Sequence, residues 1–376
     1  MSDRKPAEVF PPGEFIEEEL QARAWTQEDL ARILGKPLPT INKIIKGKTA
    51  IIPDTAKKLA AAFGNSAQFW MNLEVTWQLH KSDEQANDVQ ERAAIYDMAP
   101  IREMVRRGWV SKTSGPEELS LELCRHFSVT SLDIVPELRA AARSAVSGER
   151  KPIGPEQWAW MCRCRHVASI VDAKTYRQKE LRDCIPELVA LSNEPEQVRL
   201  VPKLLHEAGV RLVVVQHLKD TLLDGGALSR NDSEPVVALS LRYGRLDNFW
   251  FTLLHEIVHI LYNDGVSADS EIMIVSENID EVEERANRIA AEWLVPKEEL
   301  ESFIRRTSPL FSLRRIENFS RRVGVHPSIV VGQLKYRGEL EWKQFNRLNV
   351  DVREIARQSN VSDGWGEVAP IGQEYK

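Results

Sequence analysis

The sequence contains an H-E-x-x-H motif, His255-Glu256-Ile257-Val258-His259, inside an apolar stretch with helical periodicity. A spacing of four residues brings two imidazoles onto one face of a helix, about one turn apart, where both can bind the same zinc ion. The glutamate one position after the first histidine would lie beside that ion and could act as a general base in hydrolysis. The motif therefore predicts a Zn²⁺ centre with His255 and His259 as ligands and Glu256 as the catalytic residue.

A catalytic zinc ion keeps three protein ligands and one open position, so a third ligand must come from elsewhere in the chain. Residues 282–291 form a second amphipathic pattern that contains Glu283, Glu284 and Asn287. Because Glu283 and Asn287 are four residues apart, they share a helix face. We expect Glu283 to bind the ion and Asn287 to hold a ligating histidine by a hydrogen bond. Glu284 is the alternative ligand.

The motif also arises by chance, but two histidines and a glutamate are costly to bury in an apolar helix without a partner such as a metal. A second cluster, Cys162-x-Cys164-x-His166, looks like a metal site on paper. In the helix predicted there, its side chains fan out by about 100° per residue and do not converge. The candidate hydrogen-bond donors to a tetrahedral oxyanion are Tyr243, Tyr262 and His326, among which the sequence does not choose.

Glycine, proline and capping residues predict five short helices in the first 80 residues. The second begins at a capping-box pattern from Thr26 and ends at Gly35, and the third follows after a tight turn. Residues 31–53 hold five basic residues and no acidic one. This is the pattern of a DNA-binding helix-turn-helix, whose second helix enters the major groove. The alternative is a helical bundle with a solvated lysine face.

Gln27 would meet a phosphate at the start of the first helix of this pair. The other residues expected at the DNA are Leu38, Pro39, Thr40, Asn42 and Lys43 in the groove, and Lys46, Lys48 and Thr49 along phosphates.

The chain has 376 residues, 43% of them hydrophobic, four cysteines and a net charge of -6. This length predicts two or three domains, and the sparse cysteines indicate a reducing compartment. Because no apolar run approaches the roughly 18 residues of a membrane helix, we expect a soluble protein with no membrane contact. The first residues are followed by no apolar targeting core, so we expect it to be cytoplasmic. The fold class is predicted as mainly α with a small β-sheet (α+β). The predicted domains are a five-helix helix-turn-helix domain at 1–80, a helical linker or middle region at 81–199, a zincin-like metallopeptidase domain at 200–345 and an irregular tail at 346–376.

Two stretches carry resemblances to known families. Trp25-Thr-Gln-Glu-Asp-Leu-Ala-Arg-Ile-Leu-Gly35 and Pro39-Thr-Ile-Asn-Lys-Ile-Ile-Lys-Gly47 resemble the phage-repressor (Cro or Xre) helix-turn-helix family, in its HigA-type antitoxin branch. Residues 200–335, through the zinc motif and Glu283-x-x-Ala-Asn287, resemble the ImmA/IrrE metallopeptidases. The first resemblance implies a homodimer on operator DNA. The second implies zinc-dependent cleavage of a protein, often a repressor, with the ligands and the base named above.

The chain departs from both families at particular positions. Leu38-Pro39 begins the recognition helix where many relatives carry hydrogen-bonding residues, and Arg285 stands where an acidic or amide residue is frequent. The leading hypothesis is a DNA-binding, HigA-like transcriptional regulator whose zinc metallopeptidase domain cleaves a repressor or toxin partner. The alternative is a non-enzymatic, antitoxin-like autorepressor in which the zinc domain is structural or sensory.

Overall fold

The computed structural model describes residues 9–81, 83–113, 115–136, 139, 143–144, 151–219, 221–229, 234–263 and 279–370. The chain forms two compact units, Met1–Ala93 and Ala94–Lys376. The predicted α+β class is confirmed, because helices predominate and a small mixed sheet lies in the second unit. Within the described residues, no helix combines the length and the hydropathy that crossing a membrane requires.

The five helices predicted for the first 80 residues are all present. They are α1 (Pro12–Arg23), α2 (Gln27–Leu34), α3 (Leu38–Ile45), α4 (Pro53–Phe63) and α5 (Ala67–Lys81), and α6 (Asp83–Met98) follows. The capping box at the start of α2 forms as predicted: the Thr26 hydroxyl accepts a hydrogen bond from the N–H of Asp29, and the Asp29 carboxylate accepts one from the N–H of Thr26. Helix α2 ends at Gly35, whose φ of 61° a glycine adopts at little cost.

The core of the first unit joins α2 and α3 to the flanking helices. Leu30, Ile41 and Trp70 are almost fully buried in it. Helix α1 crosses α3 at Gly13, where a Cβ atom would lie 1.8 Å from the carbonyl oxygen of Ile45. The absence of a side chain at this position therefore lets α1 fix the end of α3.

The second unit contains a small sheet and most of the remaining helices. The helices are α7 (Ile101–Arg106), α8 (Pro116–Phe127), α9 (Pro155–Ala168), α10 (Gln178–Leu191), α11 (Val201–Glu207), α12 (Leu246–Tyr262), α13 (Ile279–Leu294), α14 (Lys297–Thr307), α15 (Leu313–Val323), α16 (Pro327–Tyr336) and α17 (Arg353–Ser359). The strands are β1 (Arg143–Ser144), β2 (Lys151–Pro152), β3 (Arg211–Val215), β4 (Gly225–Ser229), β5 (Pro235–Leu239) and β6 (Val361–Asp363). Strands β1 and β2 form a separate antiparallel pair.

The four remaining strands lie in the order β4-β5-β3-β6, with β4 antiparallel to β5 and the other pairs parallel. Side chains of β3 alternate between two cores, as the pleat of a strand requires. Leu212 and Val214 pack in the core that includes α12, and Val213 and Val215 pack in the core that includes α9. The sheet thus separates two helical layers and is buried on both faces.

The prediction of an irregular tail after residue 345 is wrong. Helix α17 and strand β6 lie there, and β6 extends the sheet by parallel pairing with β3. Asp363 of β6 is fully buried, and its carboxylate accepts hydrogen bonds from Arg163 of α9 at 2.6 Å and from the Trp109 indole at 2.8 Å. Because all of these elements belong to the unit from Ala94 to Lys376, the predicted boundaries at 199/200 and 345/346 do not divide compact bodies.

Candidate metal centre and nucleic-acid interface

Two helices of the second unit bring the three predicted ligands together. The Nε2 atoms of His255 and His259 on α12 are 2.9 Å apart. Glu283 of α13 reaches both rings, with its Oε2 atom 3.2 Å from His255 Nε2 and its Oε1 atom 3.5 Å from His259 Nε2. Among the described residues, these three form the group of side chains whose ligand atoms could hold a metal ion.

The donor set and its spacing fit a zinc ion. Two imidazole nitrogens and one carboxylate are a common protein ligand set of catalytic zinc. Ligand atoms about 2.0 to 2.1 Å from a tetrahedral ion lie roughly 3.3 Å from one another, close to the three separations given above.

The surroundings of Glu283 and Glu256 shift the pKa values of these two carboxyl groups in opposite directions. Burial by itself raises the pKa of Glu283, but hydrogen bonds from His255 and His259 lower it far below its usual range. Burial raises the pKa of Glu256 against the opposing charges of the two histidines. Burial lowers the pKa of His255, but its hydrogen bond to Glu283 and the nearby carboxylates raise it overall.

Glu256 lies on the same helix as the two histidines and packs against strand β4. Its side chain is 7% exposed and accepts a hydrogen bond from the backbone N–H of Ala227. At Gly225, a Cβ atom would lie 2.9 Å from Glu256 Oε1 and 2.6 Å from Thr252 Cγ2. The close approach of β4 to α12 therefore depends on glycine at this position, a residue that the sequence reasoning did not single out.

The residues that follow Glu283 on α13 lie on different sides of the helix and have different surroundings. Asn287 lies one turn on, and its side chain hydrogen bonds with His255. Glu284, the alternative ligand, is exposed and lies outside the group that can hold a metal. Arg285 stacks its guanidinium 4.7 Å from the centre of the Tyr262 ring.

The candidate oxyanion donors lie in different surroundings. His326 caps α16, where its Nδ1 atom accepts from the N–H of Ser328 at 3.2 Å and its charged neighbours are Glu194 and Asp247. Its Nδ1 atom is thus engaged at the start of α16. Tyr243 and Tyr262 are half-exposed, each beside an arginine. The geometry gives no reason to choose between the two tyrosines.

The Cys162, Cys164 and His166 cluster is a core feature. All three side chains are buried in α9, and they are absent from the metal-capable groups of the described residues. Burial raises the pKa of Cys162 to about 12 and lowers that of His166 to about 2.

Helices α2 and α3 form the predicted helix pair. On α3, Ile41, Ile44 and Ile45 are buried, which leaves Pro39 and Lys43 exposed on the opposite side. The three residues that lie between α2 and α3 include Gly35, whose backbone closes α2. Of the residues predicted at the DNA, Pro39, Lys43, Lys46, Lys48 and Thr49 are exposed, and Gln27, Leu38, Thr40 and Asn42 are half-buried.

Leu38 differs from its predicted place in the groove, because its side chain packs against the core of the first unit. Glu74 of α5 holds the loop after α3. Its buried carboxylate accepts a hydrogen bond from the N–H of Ile51 at 3.0 Å. Lys36 pairs with Asp54 at 3.2 Å. The positive charge of this surface therefore comes from the lysines at and just after the end of α3.

Comparison with known proteins identifies a domain in each unit. A family model described as "Helix-turn-helix" matches residues 16–70, and one described as "IrrE N-terminal-like domain" matches residues 211–332. The chain is 32% identical over 72 residues to the uncharacterized HTH-type transcriptional regulator YddM of Escherichia coli, which is 19% of this chain and 77% of that protein. It is 30% identical over 79 residues to virulence-associated protein I of Dichelobacter nodosus, which is 21% of this chain and 73% of that protein.

Solved structures with similar segments include the Pseudomonas aeruginosa antitoxin HigA with higBA promoter, which is 36% identical, covers 22% of this chain and 90% of that chain, and has a TM-score of 0.21. An addiction module antidote protein of the HigA family from Coxiella burnetii is 32% identical, covers 21% and 92%, and has a TM-score of 0.20. The two domain types expected from the motifs are confirmed by the family models.

Proposed function

We propose that this chain is a DNA-binding transcriptional regulator with a zinc-dependent peptidase activity against a protein partner. Its first unit belongs to the Xre-type helix-turn-helix regulators, and its second unit carries an IrrE N-terminal-like domain. The observation that carries the peptidase half is the convergence of His255, His259 and Glu283 beside the buried carboxylate of Glu256. An imidazole pair, one ligating carboxylate and one separate carboxylate are the parts that metal-assisted hydrolysis requires.

His255, His259 and Glu283 would hold the zinc ion, which when bound supplies a Lewis acid that polarises the peptide carbonyl and acidifies water. Glu283 reaches both imidazoles with its two carboxylate oxygens and would bind the ion in its charged form, as a metal ligand must. Asn287 lies beside the His255 ring, whose Nδ1 atom has no hydrogen-bond partner among the described residues, and we place Asn287 there to hold that ring once Nε2 binds the ion.

Glu256 moves the proton in the proposed reaction. Burial raises its pKa, and a carboxyl group with a raised pKa can take a proton from water and later release it to the leaving amine near neutral pH. The N–H of Ala227 orients the carboxylate. Within the described residues, β4 pairs only with β5 and thus forms an edge of the sheet. An extended peptide can add to such an edge by main-chain hydrogen bonds, which would bring its scissile bond next to Glu256.

Metal content tests the ligand set. Zinc should bind at about one ion per chain in the wild type, as a single three-ligand site predicts. Glu283→Gln should lose most of it, since the ligating charge is gone. The matched control is Glu284→Gln, one residue on along the same helix and exposed, which should bind zinc like the wild type. Equal zinc in both variants would refute the assignment of Glu283.

Cleavage is tested with Glu256→Gln, which keeps the three ligands and removes the base. We expect this variant to bind zinc and DNA normally. New protein N-termini should appear in cells that express the wild type and be absent from cells that express the variant. If the two strains show the same N-termini and the same regulation, the non-enzymatic reading of the second unit, as a structural or sensory zinc module, is favoured instead.

DNA binding through the first unit is tested with Lys43→Ala combined with Lys46→Ala. The probe is a DNA fragment from the promoter of the protein's own gene. The lost phosphate contact of Lys46 should lower the magnitude of the salt slope by about 0.9, and the loss of Lys43 from the groove should weaken binding further. Lys57→Ala on α4 is the control, because this exposed lysine lies outside the helix pair. Sedimentation of the complex would show whether two copies of the chain bind one site, as the proposed homodimer requires.

A further inference from the structure

The end of α14 and the exposed side of α15, in the second unit, form a strongly basic surface. Residues 305–322 contain six arginines and a single acidic residue, Glu317, in a chain whose net charge is -6. Two of the arginines have carboxylate partners: Arg322 pairs with Glu299 at 2.7 Å, and Arg305 approaches Glu301 at 4.0 Å. The other four, which we call the arginine face, are Arg306, Arg314, Arg315 and Arg321.

The arginine face is directed to solvent. All four residues are exposed, and among the described residues no carboxylate forms an ion pair with any of them. Arg321 reaches the Asn318 side chain at 3.3 Å, and Arg315 reaches the carbonyl of Leu310 at 3.4 Å. Each guanidinium has five N–H donors, so most donors of the face are available to a ligand.

Two of these arginines lie where helix stability disfavours them. Arg314 and Arg315 occupy the first turn of α15, directly after the N-cap Ser312, and that turn contains no acidic residue. The N-terminus of a helix carries partial positive charge, so basic side chains there are unfavourable and acidic ones stabilise. The pair therefore lowers the stability of its own helix, which points to a use outside the fold.

The dimensions of the face suit a double-stranded polyanion. Arg314 and Arg321 are seven residues apart on one side of α15, or roughly 10.5 Å along the helix axis. That length is close to the roughly 12 Å width of the major groove of B-DNA, which a phosphate backbone borders on each side. In the next helix, α16, every residue from Pro327 to Lys335 is buried or half-buried, so these residues present no exposed side chains that could read bases. Contacts from this surface would go to phosphates.

We propose that the arginine face binds the phosphate backbone of double-stranded DNA and gives the second unit a sequence-independent contact with the DNA that the regulator occupies. The inference rests on the proposed function in one respect, namely that DNA is the polyanion this protein meets. It adds a second DNA surface outside the helix-turn-helix.

The test compares two double variants of the full chain on the same promoter fragment. Arg314→Gln with Arg315→Gln removes two charges from the face, and Arg177→Gln with Arg182→Gln removes two exposed arginines, one at the N-cap of α10 and one within it. Losing two phosphate contacts should lower the magnitude of the salt slope by about 1.8, which corresponds to roughly 30-fold weaker binding at 0.15 M salt when extrapolated from 1 M. The α10 variant should bind like the wild type. The melting temperature of the α15 variant should stay equal or rise, because the substitution relieves the unfavourable charge at the helix N-terminus.

Equal salt slopes for the two double variants would overturn the proposal, and they would leave an acidic protein as the partner that fits the charge of the face. The variant Lys43→Ala with Lys46→Ala, measured in parallel, separates this outcome from a failure of the proposed function. If the lysine variant binds normally, the helix-turn-helix assignment fails. The comparison between the two arginine variants still decides the role of the face.

Discussion

The close packing of strand β4 on the zinc-motif helix α12 can be tested with one methyl group. In Gly225→Ala, the new Cβ atom would lie 2.6 Å from Thr252 Cγ2, 2.9 Å from Glu256 Oε1 and 3.1 Å from the carbonyl oxygen of Ala238. Real Cβ atoms essentially never approach other heavy atoms within 3.0 Å. Because the strand is held by β5 on one side and by α12 beneath it, the substitution must displace the Glu256 carboxylate, the strand or both.

Overpacking of this kind costs about 1 to 3 kcal/mol. The free energy of unfolding, measured in urea, should fall by that amount for Gly225→Ala. Zinc binding should persist, because the substitution touches none of the three ligands, whereas the proposed cleavage should fall as Glu256 loses its position. A variant that lost zinc together with activity would show a wider collapse of the site.

The next residue along β4 provides the control. A Cβ atom at Gly226 would meet nothing closer than the Trp160 ring at 3.6 Å, which is ordinary contact. Gly226→Ala should be neutral or stabilise by up to about 1 kcal/mol, since alanine restricts the unfolded chain. Equal stability of the two variants would refute the reasoning, because it would mean that β4 is not held against α12.

Three further predictions concern other parts of the chain. Gly13→Ala would place a Cβ atom 1.8 Å from the carbonyl oxygen of Ile45, so it should shift α3 and weaken promoter binding, as measured by fluorescence anisotropy, without changing zinc content. Asp363→Asn leaves a buried guanidinium without its charged partner, so the free energy of unfolding should fall by about 3 to 5 kcal/mol in a urea titration. Burial lowers the pKa of His126 from 6.5 to about 4, so as pH falls below 6.5 the unfolded chain takes up the proton first, and stability should drop by up to about 3 kcal/mol by pH 4. His126→Gln should remove this part of the pH dependence, and His206→Gln, at a half-buried histidine on α11, should not.

The first unit was predictable because its signals are local. The capping box at Thr26 and the glycine at position 35 each act within one turn of helix, and both lie where the pattern predicts them. The exception is Leu38. Its side chain is half-buried against the core, and nothing in the spacing of the helix distinguishes a residue that faces the groove from one at the margin of the core.

In the second unit, features that depend on nearby residues in the sequence were predictable. Pairs between residues far apart in the sequence were not. The ligand histidines follow from one helical turn, and Glu283 from a second helix pattern. Strand β6 is three residues long and pairs with β3 about 150 residues earlier, so no local periodicity marks it. The buried pair of Asp363 with Arg163 spans 200 positions. For that reason the middle region and the tail were predicted to lie outside the domain at 200–345, although the three share one core.

The two glutamates near His255 and His259 have roles that the sequence predicts and surroundings that only the fold shows. Each oxygen of Glu283 faces one imidazole nitrogen, at 3.2 and 3.5 Å, which favours the charged form and lowers the pKa. Glu256 is buried against β4 with one backbone N–H as its hydrogen-bond donor, and there burial prevails and raises the pKa. Environments that push two carboxyl groups apart in this way divide the work between a group that stays ionised and a group that exchanges a proton. The division depends on where α13 and β4 meet α12, so a substitution on β4 such as Gly225→Ala should impair the base while leaving the ligand intact.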